Sequence, residues 1–241
     1  PLGSNSPESV GMDRTAVECM YRVNVGGPLV APINDSSGLY RTWQSNESFL
    51  FSASSAVENV STSRQAIVYP APLPSYIAPP VVYSTALQMS TLLASGDSFN
   101  ISWLFTIDPG FVYIVRIHLC EIVYTSAAER IFDIYIQNQT AYRSLDLVYL
   151  KSADHAYYRD FTINTSDGTS TLWIQIGPTP NAPLTINNAI LNGIEIWKLN
   201  NSVGSLDGVM TNLHIPTSES LRIGPIIGGV AAGVLGMAII I

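Results

Sequence analysis

The sequence predicts an all-β fold, a sandwich of two antiparallel sheets, on three observations. Short runs alternate apolar and polar residues with a period of two, clusters of Gly, Pro and Asn separate those runs, and sustained helical stripes are missing. With 241 residues, 47% of them hydrophobic, the chain is long enough for one large β domain with a real core.

The first strand lies in "YRVNVGG", whose Gly26 and Gly27 mark a tight turn or a close backbone crossing. No GxGxxG or GxxxxGK pattern follows, so this pair is not a phosphate cradle. The prolyl segment "YPAPLPSYIAPP", residues 69–80, predicts a long loop or extended cover, because each proline removes a ladder donor. "FNISWLF" sets Phe99, Ile101, Trp103 and Phe105 on one face and Asn100 and Ser102 on the other. "DPG" at 108–110 is a turn combining a fixed proline φ with a permissive glycine, Asp108 opening it and Gly110 closing it. "FVYIVRIHLCEI" is apolar on both faces, as a central strand covered on its outer side would be. "RIFDIYIQNQ" places Phe132, Ile134 and Ile136 opposite Asp133 and Tyr135, and "STLWIQIGP" turns Leu172, Ile174 and Ile176 inward. "AILNGIEIWKL" divides Ile190, Ile194 and Ile196 from Leu191, Glu195 and Trp197.

Four segments result. Residues 1–16 form a boundary segment opening on "PLGSNSPESV", which has neither the basic nor the apolar region of a signal peptide. Residues 17–199 form the β-sandwich, and 200–222 a linker without strand alternation or helical stripe. Residues 223–241, "IGPIIGGVAAGVLGMAIII", carry no charge, and at 1.5 Å rise they make about 28 Å of helix, close to the hydrocarbon thickness of a bilayer. A single transmembrane helix is expected there. Gly229 and Gly233 give it the small-xxx-small spacing that lets two such helices approach closely and associate laterally.

Only 12% of the residues are charged, where roughly 25% is usual. The net charge of −7 is scattered without basic blocks, which argues against nucleic acid as a partner. Asn-x-Ser/Thr acceptors occur at Asn34, Asn46, Asn59, Asn100, Asn138, Asn164 and Asn200, against about three expected by chance, and this excess points to an extracellular domain. Cys19 and Cys120 permit one disulfide or two free thiols; an extracellular setting favours the pair.

Sites for chemistry are sparse. His118, His155 and His214 follow no metal spacing, there is no CxxC or HExxH, and no GxSxG elbow is present, so no metal, cofactor or catalytic residue is expected. Glu121, Glu129 and Asp133 are close in sequence without a spacing that makes them face one another. Twelve Tyr and four Trp supply faces that either fill a β core or bind sugars and proteins. Tyr40, Trp43, Tyr76, Tyr83 and Tyr124, near predicted turns, are the candidates for ligand binding.

Taken in order, "YRVNVGG", "GLYRTW", "PPVVYSTA", "WLFTIDPGFVYIVRIHLCEI", "IFDIYI" and "ILNGIEIWKL" resemble a malectin-like domain. They are most similar to the second, membrane-proximal such domain of plant receptor-like kinases of the FERONIA and THESEUS type. The resemblance makes Asn24, Gly26, Gly27, Asp108, Gly110, Asn192 and Gly193 family-motif positions with mainly structural roles. It implies a β-sandwich ectodomain module at the plasma membrane, preceded by a sister domain and followed across the bilayer by a Ser/Thr kinase. Secreted cysteine-rich peptides, GPI-anchored co-receptors and cell-wall pectin are the implied partners, in growth, fertilisation and wall-integrity signalling. Animal malectin binds a glucose disaccharide, which gives the alternative of a carbohydrate-binding module for pectin or glucan.

Overall fold

Period-two alternation sorts the strands into layers, as a computed structural model of the chain shows. Residues 15–51, 57–90, 100–180 and 188–207 are described. They belong to the first of two units, Pro1–Val209 and Met210–Ile241, and the apolar 223–241 segment lies outside them. Among the described residues no helix is long and apolar enough to cross a membrane.

Among the described residues, twelve strands follow in chain order: β1 (Val17–Asn24), β2 (Gln44–Ser45), β3 (Val57–Ser61), β4 (Thr85–Met89), β5 (Ile101–Thr106), β6 (Val112–Leu119), β7 (Phe132–Ile136), β8 (Gln139–Leu145), β9 (Tyr157–Asn164), β10 (Thr171–Pro178), β11 (Ile190–Leu191) and β12 (Gly193–Leu199). Two short α-helices among the described residues, α1 (Pro80–Tyr83) and α2 (Leu147–Lys151), punctuate them. One sheet has the order β2-β1-β12-β6-β9 and another β5-β10-β7-β8. A third, β11-β4-β3, extends the expected pair, and β2 joins β1 in parallel rather than antiparallel fashion.

Between the two larger sheets lies the main core. Ile101, Trp103 and Phe105 of β5, Leu172, Ile174 and Ile176 of β10, and Phe132, Ile134 and Ile136 of β7 are buried from one side. Val115 and Ile117 of β6 and Ile194 and Ile196 of β12 meet them from the other. Each fully buried side chain of this size contributes about 1.5–3 kcal/mol. Tyr21, Phe49 and Phe105 add a ring cluster with centroids 4.9 to 5.4 Å apart. The free edge of β5 is capped by residues 49–51: the Leu104 N–H donates to the Phe49 carbonyl (2.8 Å) and the Phe51 N–H to that of Ser102 (2.9 Å).

The central strand is β6, between β12 and β9, as its two apolar faces require. Its outer side carries a second, smaller core of Val30, Trp43, Val81, Val82, Tyr83 and Cys120. Ile67, Tyr69, Leu73 and Ile77 pack against that core, so the prolyl segment is a cover. The turn at 108–110 is pinned from two sides. Gly110 takes φ +77°. The Tyr113 hydroxyl donates to the Asp108 carbonyl (2.9 Å), while Lys198 pairs with the Asp108 carboxylate (2.8 Å) and with Glu18 (2.7 Å).

Two sequence expectations change. Cys19 and Cys120 are free thiols, one exposed and one buried. Cys19 lies opposite Trp197, and Trp197 opposite Ile114, whereas Cys120 follows the far end of β6. That offset is about 20 Å along the strand plus two interstrand spacings, and a disulfide needs Cα atoms within about 7 Å. The extracellular argument for pairing is overruled by the register. Leu191, expected opposite Ile190 on an outer face, is as buried as its neighbour because β11 sits under β4.

Candidate functional site

The motif positions build a crossing point. Gly26, at φ +69°, lies so near β4 that an added Cβ would stand 2.1 Å from the Ala86 carbonyl carbon and oxygen. A Cβ on Gly27 would meet the Asn24 amide at 2.3 Å, and one on Gly193 the Val82 side chain at 2.8 Å. The buried Asn24 accepts from the Thr85 hydroxyl (2.8 Å) and donates to the Pro28 carbonyl (2.9 Å). Asn192 accepts from the Cys120 N–H (2.6 Å) and donates to the carbonyls of Tyr83 (3.1 Å) and Thr85 (3.0 Å). Two buried amides thus satisfy backbone groups where no ladder can reach them.

Beside this crossing runs a polar chain that the sequence did not disclose. His118, fully buried, sits between the Tyr83 hydroxyl at Nδ1 (2.9 Å) and Glu195 Oε2 at Nε2 (3.0 Å). Glu195 Oε1 accepts from Arg22 Nε at 2.6 Å. Since the carboxylate only accepts, Nε2 carries the proton and Tyr83 donates to Nδ1. Burial pushes the His118 pKa below its ordinary value, the Glu195 carboxylate opposing this only in part. Burial pushes the Glu195 carboxyl up, but the His118 imidazole and the Arg22 guanidinium outweigh it and hold it below its ordinary value. The folded state therefore holds a neutral imidazole against an ionised carboxylate.

Both shifts give stability the same pH dependence. The unfolded chain takes up protons before the folded one, below about pH 6.5 for the histidine and in the carboxylate range for Glu195, so stability is full above that range and falls with acidification. The urea midpoint is expected to drop from pH 7.5 to pH 5, with a shallower slope over that interval in His118→Gln. A midpoint that stays level or rises toward pH 5 contradicts the assignment.

The five candidate aromatics separate. Trp43 and Tyr83 are fully buried, which corrects the expectation that they face solvent. Trp43 packs edge-on against His118 and lies 5.7 Å and 5.3 Å from the guanidinium carbons of Arg22 and Arg41. Tyr83 is the donor described above. Tyr40 (69% exposed) and Tyr76 (57% exposed) do reach the surface, and Arg41, the residue after Tyr40, holds the main chain at Tyr76. That guanidinium pairs with the buried Asp35 carboxylate (2.9 Å) and donates to the carbonyls of Tyr76 and Ile77, both at 3.0 Å. Tyr124 is half-buried over Arg130, its ring centroid 4.5 Å from the guanidinium carbon. Arg130 is itself buried, paired with Glu121 at 2.8 and 2.9 Å and bonded to Gln88.

Of the sequons, Asn34, Asn59, Asn138 and Asn164 are exposed, and Asn100 and Asn200 are half-buried. Asn46 is 5% exposed and accepts from the Gly26 N–H at 2.8 Å, so its amide serves the fold instead of facing solvent, a correction to the expectation for that position. It borders a cleft of about 450 Å³ lined by Gly26, Gly27, Glu47, Leu50 and Asn59, with no aromatic ring among the described lining residues for a sugar to stack on.

Among the described residues no three His, Cys, Asp or Glu side chains gather as a metal site, and the Tyr83–His118–Glu195 chain is sealed from solvent. Its hydrogen bonds tie α1 to β6, β12 and β1, and the result is a β-sandwich module whose loops are carried on a stiff frame.

Residues 9–199 match the malectin-like domain, and the chain belongs to that family. The receptor-like protein kinase FERONIA of Arabidopsis thaliana is 35% identical over 256 residues, which cover 98% of this chain and 28% of that protein. THESEUS 1 of the same plant is 35% identical over 210 residues, 86% of this chain and 24% of that one. The crystal structure of the plant receptor-like kinase FER superposes with a TM-score of 0.76 at 36% identity, covering 81% of this chain and 53% of the other. A second structure, of the plant peptide RALF23 in complex with FER and LLG2, gives a TM-score of 0.75 at 36% identity over 81% of this chain and 52% of that one. The chain thus spans about a quarter of these kinases and about half of the solved FER chain, and it corresponds to the non-catalytic malectin-like part of such a receptor.

Proposed function

We propose that this chain is part of the extracellular ligand-recognition region of a plant receptor-like kinase, and that it binds a secreted cysteine-rich peptide together with a GPI-anchored co-receptor. One observation carries the proposal: the sandwich shares 36% identity and its fold with FER in the complex that holds RALF23 and LLG2. The proposal includes a membrane-proximal position, supported by the uncharged 223–241 segment after a polar linker, and residues 17–199 as the folded module. The exposed sequons Asn34, Asn59, Asn138 and Asn164 suit a secreted surface.

Titration of the glycosylated full extracellular region with RALF23 in the presence of LLG2, followed by calorimetry, tests this. Saturable binding that needs both components is expected. Absence of binding, together with saturable binding of oligogalacturonide or a glucan, would replace the receptor reading with the carbohydrate one.

A further inference from the structure

A cleft of about 200 Å³ opens at the start of the edge strand β9, two strands across from Gly193, walled by Pro70, Pro72, Pro74, Tyr157 and Tyr158 and rimmed by Lys151. Three local contacts fix its shape. The Val68 N–H donates to the Asp154 carbonyl and the Ala156 N–H to that of Val68, so the prolyl cover is stitched to the segment entering β9. Asp146 caps α2 by accepting from the Tyr149 N–H at 2.9 Å, which places Lys151 at the cleft rim.

The chemistry of this surface is unbalanced. Among the described residues, Arg22, Arg41, Arg116, Arg130 and Lys198 are each matched with a carboxylate. Lys151, like Arg64 and Arg143, makes no ion pair there; its ammonium lies 5.8 Å from the Tyr157 ring centroid. Beside it, Tyr149 is 83% exposed and Leu150 39% exposed on a helix of five residues. Two of the exposed sequons lie well away from it. Asn138 precedes β8 while α2 follows its other end, and Asn164 ends β9 while Tyr157 begins it. Those strands put both sequons about 20 Å away.

We infer that this cleft and the adjoining face of α2 are the docking surface for the protein partner, and that the partner presents an apolar side chain beside a carboxylate. The inference rests on the receptor reading above. Prolines and tyrosines take the apolar group, and the carboxylate supplies the counter-charge that Lys151 lacks. A polyanionic polysaccharide fits less well, since a single lysine offers one pairing site along a wall that is otherwise apolar.

The test uses the full glycosylated extracellular region with RALF23 and LLG2 as probes. Lys151→Glu and Tyr149→Ala should each weaken binding at least tenfold with the urea midpoint unchanged. Lys151→Arg and Val203→Ala, the latter at the opposite end of the five-stranded sheet, should bind as wild type. If the wild type binds and both Lys151→Glu and Tyr149→Ala bind equally well, the surface is elsewhere and the inference falls. If the substitutions instead abolish saturable binding of polygalacturonate and spare the peptide, the occupant is wrong. If the wild type binds neither protein, the receptor reading itself fails, and the inference with it.

Discussion

Gly26→Ala is expected to unfold the domain or to cost about 4 kcal/mol or more, a loss read from the urea midpoint or from failure to be secreted. Two effects add. The residue holds φ +69°, where any Cβ is strained, and that Cβ would overlap the Ala86 carbonyl at 2.1 Å, against backbone that cannot rotate away. Gly204→Ala isolates the first effect: its φ is +80° with nothing within 4 Å, and about 1 kcal/mol is expected. Equal costs at the two positions would show that the crossing between β1 and β4 is not as close as described.

Glu121→Ala should cost about 3–5 kcal/mol, because it strands the Arg130 guanidinium in the interior. Arg130 and Glu121 are both almost wholly buried, and the other groups around the guanidinium, Gln88 and the Tyr124 ring, carry no compensating charge. Burial already pushes the Arg130 pKa down, the Glu121 carboxylate opposing it. Removing both charges in Glu121→Leu/Arg130→Leu should cost less than Glu121→Ala alone, since no uncompensated ion remains. A Glu121→Ala midpoint within about 0.5 kcal/mol of wild type would mean that water reaches this pair.

The strands with one clean apolar face were legible. β5, β7 and β10 declare themselves by alternation, and β6 declares its central place by lacking it. β4 and β9 were not legible. "TALQM" is buried along most of its length because Gln88, facing Arg130 and Glu58, is sheltered by polar partners instead of solvent. β9 mixes Arg159 and Asp160 among its tyrosines, and the partners that explain the choice, Tyr142 on β8 and Arg116 on β6, are remote in sequence. Both elements depend on residues distant in sequence, which periodicity does not report.

The same limit governed the candidate surface. Proximity to turns was the signal for Trp43 and Tyr83, yet the long cover formed by residues 64–83 and the loop through Val30 place them inside a second core. His118 follows no metal spacing in the sequence; what could not be read is that Glu195 and Arg22 complete its chain from strands 77 and 96 positions away. Tyr149, Leu150 and Lys151 lie in a stretch with no motif, and their prominence arises only from the cleft beside them.

The central claim is that a stiff, sealed scaffold presents its recognition surface on loops and α2. Hydrogen exchange on the full extracellular region, with and without RALF23 and LLG2, tests it most directly. The account predicts new protection in residues 68–76 and 146–158, with unchanged and already slow exchange at Val23, His118 and Ile194. Protection appearing instead around Gly26, Glu47 and Asn59 on addition of oligogalacturonide, with none from the two proteins, would contradict it.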